Sequence, residues 1–150
     1  MEDKIVLNQL VAEELKRFRE KGEDKIAYNY SYPLEFDFAQ NTNGTSLVQK
    51  ITVSGSQEFI FSQINFFATG DFDIYLKDVA TGRVLSEQAI NSQVLSDVNF
   101  TGYQYKGIHK LDIPKIISGN GELNVIIYNK NGNNANNIKL NFKGVSINSR

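Results

Sequence analysis

Cysteine is absent from this 150-residue chain. That excludes disulfides, thiol chemistry and a cysteine zinc site, and with them a small secreted disulfide scaffold. Histidine occurs once, at His109. A single histidine without cysteine builds neither a Ser-His-Asp triad nor a histidine metal cluster, so His109 is expected as a strand-surface residue. Tryptophan is absent and proline occurs twice. No apolar run approaches the roughly 20 residues that a membrane span needs. The opening MEDKIVLNQL is acidic and then amphipathic, so no signal peptide is expected there. Charge of either sign is not in excess: 16 Lys and Arg meet 17 Asp and Glu. That balance steers the chain neither to nucleic acid nor to an anionic membrane. No glycine-rich phosphate loop is present, and Gly119-Asn120-Gly121 reads as a turn that opens no helix.

What the chain has is Phe and Tyr, 17 together, and strand periodicity. Residues 57–86, QEFIFSQINFFATGDFDIYLKDVATGRVLS, form its centre. A run rich in Phe and Ile breaks at Gly70 and then alternates. Phe72, Ile74 and Leu76 take one face; Asp73, Tyr75 and Lys77 take the other. A period of two predicts a strand with one buried and one wet face. Residues 78–82 predict a tight turn, with Gly82 supplying a positive φ. Residues 83–86 are expected to resume as a strand.

Residues 1–25 differ in character and carry 13 of the 33 charged residues. Leu7, Val11, Leu15 and Phe18 recur at helical spacing, which predicts a helix from about Lys4 to Lys21. Asp3 is its expected N-cap and Gly22 its stop. Two placements fit the stripe: packing across one end of the β domain, or packing on a neighbouring subunit as an arm. In the second, Leu7, Val11, Leu15 and Phe18 are interface residues. The division expected is a helical arm over 1–25 and a β-sandwich over 26–150.

Residues 25–38 alternate through Tyr28, Tyr30, Tyr32, Leu34, Phe36 and Phe38. Pro33 cannot donate to a ladder, so an edge strand or two short strands are expected. Further strands are predicted over 47–53, 103–114, 123–128 and 138–142. In the 103–114 strand, Ile108, Leu111 and Ile113 are expected inside and Pro114 at the end. Residues 87–107 are the least regular stretch, and long loops of that kind are usually functional or pack against a partner. Residues 129–137, NKNGNNANN, read as a mobile connection. The sum is a mainly β chain of about eight antiparallel strands, a jelly-roll-like sandwich with an N-terminal amphipathic helix.

Few constellations carry chemistry. Asp71, Asp73 and Asp78 flank the central hairpin, but their spacing matches no calcium loop; no metal site and no cofactor are expected. Tyr28, Tyr30 and Tyr32 share a strand face and, with Tyr103 and Tyr105, are candidate exposed aromatic contacts for a sugar or a base. The alternative for them is cover for a core edge or a subunit interface. No catalytic residues are expected.

Three segments carry a resemblance: FDIYLKDVATGRVLS with its D-x-x-T-G-R turn, KLDIPKIISGNGELNVIIYN, and NIKLNFKGVSI. Over residues 57–147 the chain resembles small β-sandwich structural proteins of tailed and icosahedral bacteriophages. In such proteins the module decorates, caps or links parts of the virion. The resemblance implies a non-enzymatic capsid, vertex or neck component. It implies a virion location and a homo-oligomer meeting other virion proteins such as capsid or portal and neck neighbours. It fixes no site residues. From a different class, a carbohydrate-binding β-sandwich module for host attachment is the alternative.

Overall fold

A computed structural model describes residues 2–84, 86–95 and 105–149, the side chains of residues 2–5 apart. The first helix, α1, spans Glu2–Glu20, so Asp3 lies in its first turn. It stops where Gly22 takes φ +78°. There the Glu23 amide donates to the Phe18 carbonyl at 2.9 Å and the Gly22 amide to that of Arg19 at 3.0 Å. This is a Schellman ending, which needs a residue at ease with positive φ.

The strands follow as β1 (Lys25–Phe38), β2 (Ser46–Thr52), β3 (Glu58–Ala68), β4 (Phe72–Asp78), β5 (Ile90–Asn91), β6 (Lys106–Ile117), β7 (Glu122–Asn129) and β8 (Asn136–Ser149). A one-turn helix, α2 (Ser92–Leu95), follows β5. The first sheet has the order β1-β8-β3-β6 and the second β2-β7-β4-β5. Every pairing is antiparallel. Most successive strands cross from one sheet to the other, which makes the eight-stranded jelly roll.

Between the sheets lies one core. Phe72, Ile74 and Leu76 are buried in it, with Phe36, Phe59, Phe61, Phe66, Phe142, Leu123 and Ile127. Lys77 is exposed and Asp73 and Tyr75 are half-buried, so the alternation of β4 holds. The ring of Phe66 meets that of Phe72 edge-on at 5.8 Å and 82°. Pro33 sits within an unbroken β1 at the edge of the first sheet, opposite Asn141.

Four expectations change. The turn after β4 forms, with Gly82 at φ +69°, and the Asp78 amide bonds the Arg83 carbonyl at 2.8 Å. Of the returning strand expected over 83–86, the described residues Arg83, Val84 and Ser86 yield only an isolated bridge between Lys77 and Val84. Both are exposed, so a returning strand there would bury nothing. The place beside β4 goes to β5 instead.

Secondly, β6 runs past Pro114. Phe61 pairs with Lys115 but Gln63 with Lys110, so residues 111–114 bulge. A bulge on an edge strand accommodates a residue with no amide proton. Pro114 is buried, whereas Ile113 is 77% exposed. Ile108 pairs with Asn65 on the outer face, and only Leu111 of the three expected residues packs on the core.

Thirdly, the asparagine tract is tied down at both ends. Asn136 is buried and bonds the Gly70 amide at 2.9 Å and the Asp71 carbonyl at 2.8 Å. Asn129 is buried and bonds Thr42 Oγ1 at 3.0 Å. These side chains satisfy turn backbone that the ladders leave unpaired.

Lastly, His109 is half-buried and pairs with inward-facing Ile64. It lines a small apolar cavity of about 40 Å³ with Ile64, Ile74, Leu95 and Leu111. Its Nδ1 lies 2.9 Å from the Leu95 carbonyl oxygen. The strand offers two faces, and the register assigns this ring to the inner one.

Candidate functional site

The outer face of the first sheet is the surface that sets this chain apart from a closed sandwich. Ile60, Val145 and Ile147 are buried yet stand outside the cluster between the sheets. Ile60 pairs with Val145, and Glu58 with Ile147. All four belong to the face opposite Phe59 and Phe61. The helix α1 lies over this half, touching β1 and β6. Arg17 of α1 reaches Glu58 of β3 at 3.2 Å.

Leu7, Val11, Leu15 and Phe18 are each half-buried. Their stripe meets the sheet without being fully covered by it. The Phe18 ring is flanked by the Arg17 guanidinium carbon at 4.6 Å and the Lys25 ammonium at 5.2 Å, both within cation–π reach. Leu7 forms one wall of a groove of about 890 Å³ that continues along Ser31, Gln63 and Lys143.

The other half of the same face carries no helix among the described residues. A groove of about 630 Å³ runs there, lined by Pro33, Glu35, Phe67, Ile108 and Lys139. Phe67 is 43% exposed. The strand register brings these residues together from four strands. Sequence periodicity assigned Ile108 to the wrong face and so missed the groove.

The tyrosines share the inner face of β1, with Tyr32 opposite the core residue Phe142. Tyr30 and Tyr32 stack at 5.1 Å and 27°, and Tyr28 and Tyr30 tilt at 6.3 Å and 32°. Tyr32 is half-buried, edge-on to Phe59 at 4.8 Å. Burial raises its hydroxyl pKa, and Tyr30 and Tyr28 add to the rise. Tyr28 and Tyr30 are exposed, and Asn148 Nδ2 donates to the Tyr28 hydroxyl. Tyr30 and Tyr32 thus turn faces to each other, whereas Tyr28 is only tilted against Tyr30. Tyr105 packs against the core, and Tyr103 lies outside the described residues.

The acidic residues of the central hairpin hold structure. Asp71 Oδ1 accepts from the Phe72 amide at 2.9 Å, Asn91 Nδ2 at 2.9 Å and Ser92 Oγ at 2.7 Å. Asp73 Oδ1 accepts from the same Asn91 nitrogen at 2.9 Å. Asp78 pairs with Lys115 at 2.9 Å. Burial opposes its ionisation, but the Lys115 hydrogen bond and charge prevail and lower its pKa. Among the described residues no cluster of three or more His, Cys, Asp or Glu is placed to hold a metal ion.

One residue escaped the sequence reading. Glu58 is 4% exposed, beneath α1. A signal was there to be found. Glu58 and Ile60 share one face of a strand whose other face carries Phe59 and Phe61, so both faces ask for cover.

No family model matches the chain, and no curated protein matches it. Solved structures do. The cyanophage Pam1 capsid asymmetric unit aligns at a TM-score of 0.44 and 10% identity, over 84% of this chain and 86% of that one. The infectious bursal disease virus VP2 subviral particle aligns at 0.38 and 10%, over 83% of this chain. The T=1 particles derived from the same virus align at 0.37 and 7%, over 84%. This chain spans 37% and 36% of the lengths of the latter two.

Proposed function

We propose that this protein is a non-enzymatic structural component of a bacteriophage particle, at a capsid, vertex or neck position. In this proposal it works as a homo-oligomer that also meets other virion proteins, and residues 1–25 act as the arm that joins copies or neighbours. The observation that carries it is the half-covered outer face of the first sheet. The stripe Leu7, Val11, Leu15 and Phe18 is only half-buried, and beyond it Phe67 stands in an open groove rimmed by Glu35 and Lys139. Exposed apolar surface rimmed by polar residues marks an interaction site. The jelly roll is a fold that capsid domains use, and it also serves lectins and cupins, so the topology supports the reading by analogy only.

The test is the oligomeric state of the purified chain by light scattering, alone and with Leu7→Asp or Phe67→Asp. Assembly beyond a monomer is expected, and it should fall in both variants while far-ultraviolet circular dichroism is kept. An ordered monomer that ignores both substitutions and binds immobilised glycans would favour the carbohydrate-binding alternative. That alternative draws on the exposure of Tyr28 and Tyr30.

A further inference from the structure

Two carboxylates converge on one guanidinium nitrogen beneath α1. Arg17 Nη2 donates to Glu14 Oε2 at 2.6 Å and to Glu58 Oε2 at 3.2 Å. Arg17 Nε adds a second bond to Glu14 at 3.2 Å. Arg17 thus serves Glu14 first and leaves Glu58 one long contact. The other oxygen of Glu58, Oε1, is buried without a hydrogen-bond partner. A fully ionised cluster would bury two negative charges against one positive charge and leave an acceptor unsatisfied. A proton on Glu58 removes both costs, because the carboxyl then donates to Glu14.

We propose that Glu14 and Glu58 hold a single proton between them, and that this proton latches α1 to the outer face of the first sheet. The helix is docked while the pair keeps the proton and is released as rising pH removes it. Release uncovers Ile60, Val145 and Ile147. The latch depends only on α1 and its own sheet, so it stands whether or not the chain serves in a virion.

The surroundings agree. Burial pushes the Glu58 carboxyl up to about 8; Glu14 adds to the rise, while Arg17 and Lys21 oppose it. For Glu14 burial works upward, but its hydrogen bonds to Glu58 and Arg17 bring it below the ordinary value. Beyond the pair, the turn after α1 brings Lys21, which acts on both carboxylates, and Glu23, which acts on Arg17. From β1, Lys25 is turned to Ser56, Ser149 and the Phe18 ring. The flanking strands present Ile147 of β8 opposite Glu58 and Ile116 of β6 opposite Ile60; further along the same face stand Lys143 of β8 and Lys110 of β6, both opposite Gln63.

The sign follows from the raised value. Undocked, Glu58 loses its proton near 4.5; docked, it keeps it to about 8. The stabilisation of the docked helix is therefore complete below about pH 4.5. It declines as pH rises and is gone above about pH 8. Within that window the opening equilibrium of α1 rises by up to about tenfold per pH unit.

Hydrogen exchange of the whole chain, corrected for intrinsic rates, reads this opening directly. Protection of α1 amides should fall steeply from pH 5 to 8 in the wild type, while that of β3 and β8 stays level. In Glu58→Gln the slope should vanish. Equal slopes in wild type and variant, or a flat wild type, overturn the proposal. If Glu58→Gln does not fold, carbon-13 carboxyl titration decides. One glutamate should titrate near pH 8 in the wild type and move toward the ordinary range in Glu14→Gln. A wild type in which every glutamate titrates in the ordinary range overturns the latch.

Discussion

Phe72 and Asn136 show at the residue scale how differently two buried side chains announce themselves. Phe72 is fully buried between the sheets and lies in a strict alternation with Ile74 and Leu76. Its burial was legible because a period of two needs only neighbouring residues. Phe72→Ala should cost about 3–5 kcal/mol through the cavity it leaves, measured as a fall in the urea midpoint. Asn136 sits in a polar tract that looks solvated, yet it is 1% exposed. What buries it is the Gly70–Asp71 turn, 66 and 65 residues away. Asn136→Ala strands the buried Gly70 amide, while the Asp71 carbonyl keeps its bond from the Lys130 amide, and should cost about 1–3 kcal/mol. An unchanged melting temperature would show that water replaces the amide.

Glycines separate two kinds of constraint at the scale of elements. Gly22 closes α1 at φ +78° with open space around it. Alanine there meets only the backbone penalty and should cost about 1 kcal/mol. Gly144 lies where β8 passes the β3 bulge, and a Cβ there would stand 1.9 Å from the Ile60 carbonyl oxygen. That neighbour is backbone and cannot swing away. Gly144→Ala should therefore break the β3–β8 register or prevent folding, read by the yield of soluble protein and by near-ultraviolet circular dichroism. The stop at Gly22 was legible because helix ends are local. The close approach at Gly144 was not, since it joins residues 84 positions apart.

Across the whole molecule, Lys115 of β6 and Asp78 of β4 pair at 2.9 Å and so join the two sheets. Asp78 has a folded pKa below its unfolded value of 3.8. Its contribution is therefore complete above about pH 4 and is lost as the pH falls through the folded value. Lys115→Met should lower stability at pH 7 by about 1.5–3 kcal/mol. The variant should also lose the acid dependence that Asp78 gives the wild type, checked by urea unfolding between pH 2 and 7. A variant that keeps the wild-type acid slope would assign that slope to other carboxylates.

The strand class, most strand positions, the buried set of β4 and the stop of α1 were all determined by the sequence itself. Each depends on periodicity or turn chemistry among residues a few positions apart. Tertiary structure decided which sheet each strand joins, and with it every surface that matters here. Lys25 meets Ser149 across the whole chain, and no local pattern announces such a pairing. The same long-range choice turned His109 inward and Ile108 outward. It gathered Pro33, Phe67 and Lys139 into one groove and put Glu58 under Arg17. Alternation says that a strand has two faces; only the partner strands and the covering helix say what each face meets.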